Sequence, residues 1–73
     1  MKDIKKVFEW AKVNGDAKII DRILVGLLPE LLKNNMKSTS KDIENSKTID
    51  VSDELYNIIK TKSEELVGSS FDN

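Results

Sequence analysis

Carboxylates and amines carry nearly all the reactive chemistry of this 73-residue chain, because it contains neither Cys nor His. Without thiolate or imidazole there is no disulfide framework, no zinc site of the usual kind and no Cys/His nucleophile pair. Acid–base work would fall to paired carboxylates, and the adjacent pairs are Asp53/Glu54 and Glu64/Glu65. Neighbours on a helix point about 100° apart, and nothing in the sequence marks a cleft that would shift their pKa values. They read as a solvated face. Gly15, Gly26 and Gly68 stand alone, so no glycine-rich loop is available to cradle phosphate. The expectation is a chain that binds and does not catalyse, with no cofactor, metal or small-molecule ligand.

Charge narrows the class of partner. The net charge is −1, which disfavours a protein that coats nucleic acid by neutralising phosphates. Residues 1–39 hold eight Lys/Arg against five Asp/Glu, and residues 40–73 hold four against eight, which suggests two modules. Lys2, Lys5, Lys6 and Lys12 would suit a membrane-surface helix, but Asp3 and Glu9 dilute them and the intervening apolar stripe has a use inside a fold. The most apolar stretch, Ile19 to Leu32, contains Asp21, Arg22, Pro29 and Glu30 and is too short to span a bilayer. No apolar core of an export signal follows Met1, so the expected location is the cytoplasm, with which the lack of Cys is compatible.

The elements that must position these groups are helical. Ile4, Val7, Phe8 and Ala11 form an i, i+3, i+4, i+7 stripe. Asn14-Gly15 ends it, with Gly15 expected in the left-handed conformation and Asp16 as N-cap of a second helix from Ala17. So short a connection predicts an antiparallel hairpin. The second helix has more apolar residues than one stripe needs. Ile20, Ile23, Leu24, Leu27 and Leu31 form one face, and Val25, Leu28 and Leu32 lie about a third of a turn away. Two faces need two partners. A chain this short is marginal alone, so a second copy is the expected cover for Val25, Leu28 and Leu32, with Trp10 and Val13 extending the contact. The alternative cover is the C-terminal helix folding back. Pro29, which has no N–H, predicts a bend or break near Leu28.

Asn34 to Asp50 is rich in Ser, Asn and Lys with apolar residues too sparse to set a period, so it reads as a linker, a helical turn starting at Ser40 being the weakly supported alternative. Order resumes at Ser52, an N-cap followed by acidic Asp53 and Glu54, with Val51 and Tyr56 placed as a hydrophobic staple. Leu55, Ile58, Ile59 and Leu66 make the next stripe, Lys62 fills its gap, and Gly68 is the expected stop. The predicted architecture is therefore all-α: residues 1–34 a dimerising helical hairpin, 35–51 a flexible linker, 52–68 a separate amphipathic helix for partner docking, and 69–73 a frayed tail.

Two likenesses add expectations. Thr48-Ile49-Asp50-Val51-Ser52-Asp53-Glu54-Leu55-Tyr56 resembles the strand and first helix of ribbon-helix-helix repressors and antitoxins, which lay a two-stranded ribbon from an intertwined dimer in the DNA major groove. Thr48 and Asp50 would face outward here, and an acid facing DNA is unfavourable. The length, layout and Lys/Asn/Ile-rich composition, together with Asn57-Ile58-Ile59-Lys60, resemble the small internal scaffolding proteins of staphylococcal pathogenicity islands. Those proteins redirect a helper phage's capsid assembly to a smaller shell, and their capsid-binding motif is Arg-Ile-Ile-Lys, so Asn57 departs from it. The resemblance implies a homodimer acting in the bacterial cytoplasm within procapsids, with the phage major capsid protein as partner and no contact with nucleic acid or membrane. Leu55, Ile58, Ile59, Lys60 and Leu66 would be its docking residues, and Trp10, Val25, Leu28 and Leu32 its dimer interface.

Overall fold

The computed structural model describes residues 2–36 and 39–71. Those residues are mostly helical, with five helices and one two-stranded sheet. Helix α1 spans Lys5–Asn14 and buries Val7, Phe8 and Ala11, with Ile4 fully buried just before it. Its start is tied down by the residue preceding Ile4. Asp3 Oδ1 accepts N–H bonds from Lys5 at 2.9 Å and from Ile49 at 2.8 Å, and Ile4 N–H donates to the Ile49 carbonyl at 2.8 Å. The same junction is a short antiparallel sheet, β1 (Lys2–Asp3) against β2 (Asp50–Val51), with Lys2 opposite Val51 and Asp3 opposite Asp50.

At the end of α1, Gly15 is extended (φ −107°, ψ −158°), not left-handed as expected. Crowding explains the glycine. A Cβ there would stand 2.9 Å from the Ala11 carbonyl oxygen and 3.1 Å from Ile19 Cγ1. Asp16 does accept the Lys18 N–H at 2.9 Å, but the turn it caps delays helix α2 to Ile19–Gly26. The break near Leu28 is observed: α3 covers Leu28–Lys33 with Pro29 in its first turn, where a missing N–H costs nothing. Ile20, Ile23, Leu24, Leu27 and Leu31 face the core, joined by Ile19. Asn35 takes the left-handed conformation (φ 58°) after α3, which asparagine tolerates better than other side chains.

Within the segment expected to be a flexible linker, residues 39–51 hold a short helix and strand β2. Thr39 and Asp42 form a reciprocal capping box, each side chain accepting the other's N–H at 3.2 Å, and open helix α4 over Ser40–Asn45. Ile43 is its anchor, 1% exposed in the core. Lys5 Nζ donates to the last carbonyls of α4, on Ile43 and Glu44, and Lys12 pairs with Glu44 at 2.7 Å. One apolar residue per turn is enough when neighbouring lysines satisfy the helix end. Lys37 and Ser38 of the same segment lie outside the described residues.

Helix α5 spans Asp53–Val67, capped by Ser52, which accepts the Leu55 N–H at 3.2 Å, and closed by Gly68 in the left-handed conformation (φ 84°). It is not a separate element. Leu55, Ile59 and Ser63 point inward where α5 packs against α1 and α2. Ser63, not Lys62, fills the gap in the stripe, and its buried hydroxyl donates to the Ile59 carbonyl at 2.7 Å. Lys62 lies instead over Gly26, whose missing side chain lets it approach: a Cβ there would meet Lys62 Cε at 2.6 Å.

Two outcomes follow from this packing. Ile43→Ala should destabilise the protein by about 2–5 kcal/mol, the cost of emptying a fully buried site; an unchanged denaturation midpoint would mean that residues 40–45 are not part of the core. Asp3 is held below the usual carboxylate range by the Ile49 N–H, then by the Lys5 N–H and the charges of Lys6 and Lys5, against an opposing desolvation effect. A depressed folded-state pKa means that its contribution is present above the unfolded value near about 3.9 and is lost as pH falls through the folded one. Asp3→Ala should therefore lower stability at pH 7 and flatten its dependence on pH below about 4, measured by urea denaturation across the acid range.

Candidate interaction surface

With helices α1, α2 and α5 sharing one core, the apolar residues left over define the candidate site. Val25 is 74% exposed, Leu28 51% and Leu32 54%. They lie together on the outer side of α2 and α3. Val25 and Asp21 form a ridge with a groove on each side. One groove, about 490 Å³, runs between α2 and α3 and the start of α4, lined by Leu24, Leu28, Leu31, Leu32 and Met36 beside the ridge. The other, about 630 Å³, lies between α2 and α5, lined by Lys18, Arg22, Gly26, Lys62 and Leu66. Methyl groups dominate the first and lysine and arginine stems frame the second, so both suit apolar contact with a charged rim.

The predicted docking residues are not brought together on one open face. Leu55 and Ile59 are core residues at 3% and 0% exposure. Ile58, Lys60 and Leu66 are half-buried. Ile58 lines a shallow groove of about 360 Å³ with Leu27, Asn57, Thr61, Lys62 and Glu65. Lys60 pairs with Glu64 at 3.5 Å, one turn along α5. A stripe of five docking residues would require α5 to leave α1 and α2. Two of the residues of α5 that best mark an amphipathic face, Leu55 and Ile59, are those the core uses.

Trp10, expected at the interface with Val25, Leu28 and Leu32, lines neither groove. Its ring meets Phe71 edge to face, centroids 5.3 Å apart and planes 64° apart. Phe71 N–H donates to Glu64 Oε2 at 2.7 Å, so the tail is pinned at this residue and is not frayed there. Asp72 and Asn73 lie outside the described residues. Val13 is 83% exposed on a different surface, beside Ile20 and Ile43. Sequence reasoning missed Asp21, Gly26, Met36 and Lys62 as groove residues. Asp21 was readable, standing one turn before Val25 on the same helix face; Met36 and Lys62 reach the grooves only through the fold.

The Thr48–Tyr56 segment forms a strand and a helix, but the strand's partner is β1 of the same chain. Asp50 is exposed there, and Lys2 Nζ sits 5.0 Å from the centre of the Tyr56 ring. After α5 the chain turns at Gly68 and returns to Trp10. Among the described residues there is no group of three or more His, Cys, Asp or Glu placed to hold a metal ion, and no helix is long and apolar enough to cross a membrane.

Phe71→Ala should uncover Trp10, shifting its emission to the red and raising its quenching by acrylamide; unchanged fluorescence would mean that the tail does not cover the indole in solution. Comparison with known protein families, with curated proteins and with solved structures finds no match to this chain.

Proposed function

We propose that this chain is a non-catalytic protein-binding module, a small scaffold or adaptor built around a self-associating helical hairpin. The observation that carries the reading is the contiguous exposed face of Val25, Leu28 and Leu32 on a molecule that buries its other large aliphatic side chains with few exceptions. Leaving three such side chains in water costs hydrophobic free energy that a partner surface recovers, at roughly 25 cal/mol per Å² of apolar area covered. Binding through it needs no cofactor, metal or small molecule.

The finer reading follows the resemblance to internal scaffolding proteins. The partner is a phage major capsid protein, met in the bacterial cytoplasm, and the contact falls on the outer side of α5. Within Asn57-Ile58-Ile59-Lys60, Ile59 is committed to the core, so Asn57 and Ile58 make the contact, with Thr61 and Glu65 beside them, and Lys60 supplies charge from the other flank of α5, next to Glu64. A dimer that presents two such surfaces links neighbouring capsid subunits and favours a more curved lattice, and many weak contacts on one shell add up through avidity.

Coexpression with the major capsid protein of a staphylococcal phage tests this directly. Smaller shells that contain the chain are expected, and Ile58→Ala with Lys60→Ala should return the shells to normal size while leaving the fold intact, because neither residue is in the core. Shells of unchanged diameter, with none of the chain inside, would refute the capsid reading.

A further inference from the structure

The stripe Asp21, Val25, Leu28 and Leu32 follows i, i+4, i+7 and i+11, the spacing of a helix seam. It runs across the break between α2 and α3, and all four residues border the same groove. Two features of this face indicate what covers it. First, it contains both halves of a fit: Val25 is a ridge, and the groove beside it is wide enough to accept a side chain of that kind from another molecule. Second, opposite charges flank its two ends. Asp21 lies at the start of the stripe and Lys33 just beyond Leu32 at its end; both are exposed, and among the described residues neither forms an ion pair with its own chain.

We infer that the occupant is a second copy of this chain, packed antiparallel about a two-fold axis between Val25 and Leu28. This rests on the self-association reading above and specifies its geometry. Each Val25 enters the groove formed by Leu28, Leu32 and Met36 of the other copy. A two-fold interface uses the same patch twice, so a surface carrying ridge and groove side by side completes itself. Orientation comes from the charges. A parallel pairing sets Asp21 against Asp21 and Lys33 against Lys33, whereas the antiparallel one makes two Asp21–Lys33 pairs. Such pairs at a wet rim add little affinity, but like charges in the same places are unfavourable, so they select the orientation.

Light scattering and sedimentation equilibrium over a range of protein concentrations, with circular dichroism as a check on folding, test the arrangement. The wild-type chain is expected to dimerise. Val25→Glu, at a site open to water in the single chain, should keep the helical spectrum and raise the dissociation constant on the order of a hundredfold, because the carboxylate would be buried unpaired at the interface. Asp21→Lys and Lys33→Asp should each weaken the dimer, and the double exchange should restore it. A wild-type chain that stays monomeric at millimolar concentration, or a dimer indifferent to Val25→Glu, would overturn the inference. A dimer that Val25→Glu abolishes but whose weakening by Asp21→Lys or Lys33→Asp the double exchange does not restore would overturn the antiparallel arrangement. The capsid-size measurement concerns Ile58 and Lys60, neither of which borders the Val25–Leu32 groove, so the partner reading fails or stands separately.

Discussion

Everything in this fold depends on α5 lying against α1 and α2. Leu55, Ile59 and Ser63 occupy the space where the three helices meet, and the buried aliphatic residues of the first two helices have no other broad cover. The close approach is permitted at Gly26, where no side chain obstructs the Lys62 stem. A chain of this length has little room for two independent cores, and the helix read as a separate docking element instead gives Leu55 and Ile59 to the core it shares with α1 and α2. The short β1–β2 pair and the Asp3 carboxylate hold the connection in register: they fasten the first residues of the chain to those just before α5, so the two ends of the core close on one another.

Once α5 is spent on the core, nothing among the described residues covers the apolar surplus of α2 and α3. Val25, Leu28 and Leu32 remain in water while their neighbours Leu24, Leu27 and Leu31 are buried. Selection against aggregation disfavours such a face unless something covers it. The proposed division of labour gives the exposed α2–α3 face to self-association and the residues around Asn57 and Ile58 on α5 to a partner. Signal and structure separate cleanly here, because a residue committed to the core is lost to binding.

Much of the fold was legible where local periodicity and capping agree. The α1 stripe, the inward face of α2, the break at Pro29, the Ser52 cap and the Gly68 stop all follow from neighbours within a turn or two. What escaped depends on contacts distant in sequence. Helix α4 has a single core residue, Ile43, and its last carbonyls are satisfied by Lys5 from thirty-eight positions away, so no period reveals it. The two-residue strands are held by Asp3 across forty-six positions. Ser63 reads as polar surface until its hydroxyl finds the Ile59 carbonyl. Trp10 looked like an interface residue because Phe71, which covers it, stands beyond the last helix. The exposed face itself was visible in the sequence as an excess of aliphatic residues; which element failed to cover it was not.

The most direct test of that face is methyl NMR on the wild-type chain as its concentration is raised, with a mixed sample of labelled and unlabelled copies. Concentration-dependent shifts confined to the methyls of Val25, Leu28, Leu32 and Met36, with nuclear Overhauser contacts between copies at the same groups, are the expected result. Methyl shifts at these residues that stay constant over the whole range, with no contacts between copies, would contradict the account.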